Sequence, residues 1–190
     1  MFNLFNKSKS NTSKIVFLGS SSVGKTSILR KVNGQAFMAG YTETLGINYS
    51  TTRLPQMGEV IIKSLFYDIS GKIATDSNKR KKLLIDVDCI IFVFDLTRYE
   101  SFLQISRMIN EIQTDVLKNK IPVVILGNKS DLDNREVYDN EVEDLIKYLQ
   151  SDKNTKFSIV EYIETSAKTG SNIEIFLPKL SNLIISERKK

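Results

Sequence analysis

Apolar positions along the chain fall into two kinds of pattern. Ile15-Val16-Phe17-Leu18, residues 87–94 and Val123-Val124-Ile125-Leu126 are short, nearly continuous apolar runs rich in β-branched residues, the pattern of strands covered on both faces. Residues 47–54 instead alternate larger apolar with polar positions, and residues 60–67 follow beyond Gln56-Met57-Gly58-Glu59; the two read as an antiparallel hairpin. Residues 157–162 read as a further strand, and Pro122 stands at the start of a strand, where a missing N–H is tolerated. The second pattern is helical. Residues 101–117 place Phe102, Ile105, Ile109, Ile112 and Val116 at three-and-four spacing; helices are also expected from Ser27 to about Gly34, over the basic stretch 76–85, over 141–149 and over 173–185. Residues 35–46, and the chain beginning at Ile69-Ser70-Gly71-Lys72, lack periodicity and read as irregular loops. Strand and helix alternate through the second half, which predicts an α/β fold. Its sheet has six strands, mostly parallel with one antiparallel edge hairpin, helices cover both faces, and ligands belong at the carboxyl ends of the strands.

Composition narrows this modestly. The chain has 190 residues, 41% of them hydrophobic, which suits one domain with a substantial core. Residues 1–13 are mostly polar and read as a mobile N-terminal arm. No run is long enough to span a membrane, and the first residues lack the apolar core of a secretion signal, so a cytoplasmic location is expected. Cys89 is the single cysteine and lies in an apolar run, which predicts a buried thiol and no internal disulfide. The net charge is +5, and the lysines are spread rather than gathered in a stripe, so no nucleic-acid partner is expected. The clusters Lys79-Arg80-Lys81-Lys82 and Arg188-Lys189-Lys190 read as solvated faces, with an acidic partner or an anionic lipid surface as the alternative for either.

Chemistry enters after the first strand. Gly19-Ser20-Ser21-Ser22-Val23-Gly24-Lys25-Thr26 sits between an apolar strand and the helix-compatible Ser27-Ile28-Leu29-Arg30, the setting in which G-x-x-x-x-G-K-[ST] is a phosphate-binding loop. Gly19 and Gly24 let the backbone wrap close to an anion, and the amides of residues 22–26 can point inward. Lys25 brings a full positive charge to the β and γ phosphates, and the Thr26 hydroxyl suits a magnesium ion. A Ser/Gly-rich surface turn with an exposed lysine is the plain alternative, and the flanking strand and helix argue against it. Asp68, at the end of the hairpin, suits a water-mediated magnesium contact, or else a turn cap.

Two later loops suit a purine. Asn128-Lys129-Ser130-Asp131 follows a strand, and the Asp131 carboxylate can accept from the adjacent ring N–H and exocyclic amine that guanine offers and adenine does not. The stem of Lys129 can cover a flat ring, and Asn128 can bridge the loop to the base. Glu164-Thr165-Ser166-Ala167-Lys168 could direct a backbone amide at the guanine carbonyl oxygen.

With these motifs in this order, residues 14–185 resemble a Ras-superfamily small GTP-binding protein, closest in pattern to the Rab and Ras branches. The resemblance implies the P-loop NTPase fold of a small G domain over 14–186, a basic end at 187–190, GTP and GDP as ligands, and Mg2+. By it Gly19, Ser21, Ser22, Val23, Gly24, Lys25, Thr26 and Ser27 hold the phosphates; Asn128, Lys129 and Asp131 hold guanine; and Ser166, Ala167 and Lys168 complete the base pocket. Tyr41-Thr42-Glu43-Thr44-Leu45-Gly46-Ile47 resembles the first switch. Thr44 then joins Thr26 and Asp68 at the magnesium ion, with Phe37 and Tyr41 near the nucleotide. Asp68-Ile69-Ser70-Gly71 resembles the second switch, the Gly71 amide sensing the γ phosphate. Effectors, an exchange factor and a GTPase-activating protein are implied at residues 37–49 and 68–82 of a monomer. Two departures stand out. Lys72 occupies the catalytic position where the family usually has glutamine, and an ammonium has no acceptor with which to orient the attacking water, so slow hydrolysis is expected. No cysteine for prenylation ends the chain and residue 2 is Phe2, so no encoded lipid anchor is expected, and any membrane contact would be peripheral, through partners. The competing readings are a hydrolysis-deficient GTP-binding platform for effectors and an ATP-using phosphotransferase with the same loop.

Overall fold

A computed structural model describes residues 12–40, 44–54, 62–115, 120–152 and 155–189. Among these residues the elements run β1 (Thr12–Leu18), α1 (Lys25–Val32), β2 (Ile47–Leu54), β3 (Ile62–Ile69), α2 (Gly71–Thr75), α3 (Ser77–Leu83), β4 (Cys89–Asp95), α4 (Tyr99–Asp115), β5 (Ile121–Asn128), α5 (Asp139–Ser151), β6 (Phe157–Thr165) and α6 (Ile173–Arg188). The strands form one sheet in the order β2-β3-β1-β4-β5-β6. Only the β2 and β3 pair is antiparallel, as the hairpin pattern predicts. The strand order reverses at β1, between β3 and β4, and such a switch point is where open α/β sheets leave a crevice beyond their carboxyl ends.

Register decides what meets at that crevice. Phe17 pairs with Asp68, Leu18 with Phe92, Asp95 with Asn128, and Asn128 with Thr165. The strand ends are therefore level, and the loops leaving them converge.

The alternation of side chains along each strand builds two cores. Val16, Leu18, Ile90, Phe92 and Phe94 face one side, where α2, α4 and α5 contribute Ala74, Phe102, Ile105, Ile109, Val142 and Leu149. Ile15, Phe17, Cys89, Ile91 and Val93 face the other, closed by Ile28 and Leu29 of α1 and Phe176, Leu180 and Leu183 of α6. β4 and β5 are buried along their whole length, which is why their sequences are apolar without alternation. Burial pushes the Cys89 thiol up, away from ionisation.

Several boundaries differ from the sequence reading. Thr12 and Ser13 belong to β1 rather than to an arm, and α6 runs on to Arg188, whose guanidinium donates to the Thr12 carbonyl and the Ser13 hydroxyl at 3.2 and 2.8 Å. Residues 1–11, 55–61, Val116 and Lys190 lie outside the described residues. The chain after Ile69 is not irregular. Ser70 caps a single helical turn, its hydroxyl accepting from the Ile73 amide at 3.3 Å, and Asp76 caps α3 through the Lys79 amide. A five-residue helix is too short to show a period. No helix among the described residues is long and apolar enough to cross a membrane.

The basic cluster 79–82 is a solvated face only in part. Arg80 is 2% exposed. Its guanidinium donates to the Ala74 carbonyl at 2.6 Å and to the Glu111 carboxylate on α4, so one arginine ties α2 and α3 to α4. Glu111 is itself about half exposed, so most of the value of the link lies in the packing of the buried stem and the capped carbonyl. Arg80→Ala should lower the unfolding free energy by about 2–4 kcal/mol, and Glu111→Gln by less than about 1 kcal/mol; urea unfolding followed by circular dichroism measures both, and equal effects would mean that the ion pair rather than the burial carries the tie.

Candidate functional site

Residues 19–24 turn the chain from β1 into α1. Gly19 has φ 149° and its α-carbon lies so near the Val93 carbonyl that an added Cβ would sit 2.2 Å from that oxygen. Gly24 has φ 97°, and a Cβ there would be 2.1 Å from the Asn128 amide nitrogen. Both glycines are required, the first by β4 and the second by the last residue of β5. Ser22 adopts φ 65° without being glycine, a conformation that costs about 1 kcal/mol or more. Val23 is buried in the core and contributes its backbone: its carbonyl accepts from Asn128.

Lys25 is 6% exposed, and its ammonium donates to the Gly19 and Ser20 carbonyls at 2.8 Å each. An ammonium has three donors, so one is left over for an anion. Burial pulls the Lys25 pKa down to about 8, with the Asp68 carboxylate opposing and the Arg98 charge adding to the shift, as expected for a cation kept out of water for a ligand of opposite charge. The first turn of α1 carries no acidic side chain, leaving its positive end uncompensated.

Thr26, Thr44 and Asp68 come together as the resemblance implies. The Thr26 hydroxyl donates to Asp68 Oδ2 at 2.5 Å and lies 2.8 Å from the Thr44 hydroxyl. Burial raises the Asp68 pKa, against the Thr26 hydrogen bond and the nearby Lys25 and Arg30 charges. Its other oxygen, Oδ1, is buried with no hydrogen-bond partner among the described residues. An orphaned carboxylate oxygen beside two hydroxyls fits a hard, partly hydrated dication such as Mg2+. The two segments that carry Thr44 and Gly71 are joined where the Ser70 amide donates to the Gly46 carbonyl at 3.0 Å.

At the other end Asn128 spans two loops. Its amide nitrogen donates to the Val23 carbonyl at 2.8 Å, and its oxygen accepts from the Ala167 amide at 3.1 Å. Of the backbone amides in the Glu164–Lys168 loop, that of Ala167 is therefore committed to Asn128 in this structure. Ser166 donates its hydroxyl to Asp131 Oδ1 at 2.6 Å and accepts from the Thr169 amide, fixing the carboxylate, while the Lys168 ammonium lies 3.8 Å from Oδ2. Lys129 sits at φ 70° and its ammonium pairs with the buried Asp95 at 2.5 Å. That pairing holds its stem along the cavity wall.

These ends share one cavity of about 250 Å3, slightly below the usual size for small-molecule sites. Ser21, Ser22, Gly24, Lys25, Thr26, Ser27, Phe37, Thr44, Gly71, Asn128, Lys129, Asp131, Ala167 and Lys168 line it. Gly19, Val23, Asp68 and Ser166 stand behind that wall, and Tyr41 lies outside the described residues. Arg30, Met38 and Leu132 also line the cavity and were not singled out in the sequence, where nothing marks them. Lys72 is not in this cavity. It lines a neighbouring, more open hollow that shares Ser21 and Gly71 with the first and adds Arg98. Arg98 carried a signal that sequence reasoning missed, since it too follows the carboxyl end of a strand.

Comparison with known proteins bears on this arrangement. Residues 14–186 match the Ras family model. The chain is 31% identical over 170 residues to the Ras-related protein Rab7 of Drosophila melanogaster, covering 88% of this chain and 77% of that protein. It is 29% identical over 187 residues to the Ras-related protein Rab-27B of Bos taurus, covering 93% and 81%. Over residues 14–186 the chain therefore belongs to the Ras family of small GTPases.

Proposed function

We propose that this protein is a Rab-like switch that binds GTP or GDP with magnesium, changes its surface with the γ phosphate, and hydrolyses GTP to GDP and phosphate slowly. The observation that carries the reading is that Asp131, held by Ser166, and Lys25, buried at the phosphate loop, face the same cavity. A carboxylate at one end accepts two donors of guanine, and a cation with a row of amides at the other takes the phosphates.

Thr26, Thr44 and Asp68 would hold the metal ion, which supplies charge to neutralise the phosphates when bound. Thr44 and Gly71 stand at the roots of two segments, and a terminal phosphate gripped by both would order them together, with the Ser70 to Gly46 bond already linking their backbones. Loss of that phosphate would release them. Leu45 and Tyr49, 82% and 61% exposed, supply apolar area for effectors on residues 37–49, and residues 68–82 complete the surface for exchange and activating proteins. Such partners could also bring a monomeric switch to a membrane.

Lys72 shapes the rate. In the family's glutamine position it offers donors only, so it cannot accept a hydrogen bond from a water attacking the γ phosphorus. A second reading follows from the same residue: turnover so slow that the GTP form persists as an effector platform until a partner supplies the missing groups.

Asp131→Asn should weaken GDP and GTP binding by at least about 100-fold, because one acceptor oxygen facing the exocyclic amine becomes a donor; titration with a fluorescent guanine nucleotide measures it, and undiminished affinity would remove the basis for guanine selection. Lys72→Gln should raise the single-turnover rate of phosphate release at least about 10-fold. An unchanged rate would place the cause of slow turnover elsewhere.

A further inference from the structure

The turn after β4 brings a second cation to the phosphate loop. Arg98 Nη2 donates to the Ser21 carbonyl at 2.7 Å and lies 3.5 Å from the Ser20 hydroxyl. The arginine is held from behind. Its amide donates to the Asp95 carbonyl at 3.0 Å, and its own carbonyl accepts from both the amide and the hydroxyl of the buried Ser101, at 3.0 and 2.7 Å. The guanidinium therefore starts from a fixed backbone at the end of a buried strand, the kind of support that preorganises a side chain.

What it grips is the end of the loop nearest the second switch. A Cβ on Gly71 would lie 2.3 Å from the Ser21 amide nitrogen and 2.4 Å from its hydroxyl, so Ser21 is pinched between Gly71 and Arg98. The carbonyl of Ser21 and the amide of Ser22 belong to one peptide unit, and Ser22 lines the nucleotide cavity. A charged donor on the oxygen of a peptide polarises the unit and makes its N–H a stronger donor on the other side.

We propose that Arg98 is a positioning residue for the terminal phosphate of the bound nucleoside triphosphate, acting through the Ser21–Ser22 peptide rather than by touching the ligand. The assignment rests on the guanine-nucleotide reading above. It gives the chain, from its own sequence, positive charge at the triphosphate end, on the side where Lys72 stands in place of glutamine. A purely structural tie between the turn and the loop would instead support diphosphate and triphosphate alike.

The test compares equilibrium affinities for GDP and for a non-hydrolysable GTP analogue, with the melting temperature of the GDP-bound protein as a control. In Arg98→Ala, affinity for the analogue should fall about 5- to 10-fold relative to GDP, GDP affinity should stay within about twofold, and the melting temperature should hold. Arg98→Lys, which keeps the charge but not the planar fork, should recover part of the ratio. Equal weakening of both nucleotides, or no change in either, overturns the proposal. Should Arg98→Ala fail to fold, Arg98→Gln keeps a donor for the Ser21 carbonyl without the charge, and a ratio unchanged from wild type in that variant overturns it as well. Wild-type protein that binds neither nucleotide would overturn the guanine reading itself, an outcome visible before any variant is made.

Discussion

Asn128 reaches from the end of β5 in two directions, its nitrogen donating to the Val23 carbonyl and its oxygen accepting from the Ala167 amide. Three loops separated by up to 144 positions are thereby held by one carboxamide whose residue is 2% exposed. Such a bond works only if the strand ends are level, and the pairing of Asp95 with Asn128 and of Asn128 with Thr165 makes them so. The close approach also explains Gly24, since any side chain there would collide with the Asn128 amide. The loop after β1 and the loop before α6 are thus mechanically joined. A shift of the β5 end would disturb both, because a buried, fully satisfied polar contact tolerates little displacement.

Most of the sheet was legible in the chain because burial on both faces forces continuous apolar runs, as in the later part of β1 and the whole of β4 and β5. The Gly19 to Thr26 loop and the Asn128 to Asp131 segment stood out for another reason: each sets particular residue types at fixed spacing at the carboxyl end of a strand. What the pattern did not disclose was non-local. Arg80 looks like one more cation in a basic stretch, and its burial depends on α4 presenting Glu111 31 positions later. The Ala167 amide, in the loop expected to direct an amide at the base, is satisfied by a side chain that only tertiary pairing brings near. The short helix at Gly71 escapes periodicity because one turn has no period.

The two cations near Ser21 divide the loop's surroundings. Lys25 sits inside and bonds the carbonyls of Gly19 and Ser20, whereas Arg98 approaches from the next turn and takes the carbonyl of Ser21. Three successive carbonyls of the loop, those of Gly19, Ser20 and Ser21, are therefore occupied by cationic donors. The Asp95 carboxylate, meanwhile, holds both the turn before Arg98, through the Thr97 amide and hydroxyl, and the Lys129 ammonium. Loops that serve opposite ends of the cavity share that one acid.

The Arg188 contacts with Thr12 and Ser13 place the start of β1 and the finish of α6 beside each other, at the opposite pole from the phosphate loop. Seven residues of β1 separate the two poles by roughly 20 Å. A reporter attached at Thr12 or Arg188 would sit at that remote pole, so either position could be labelled or immobilised while the cavity lined by Lys25 and Asp131 stays open to solution.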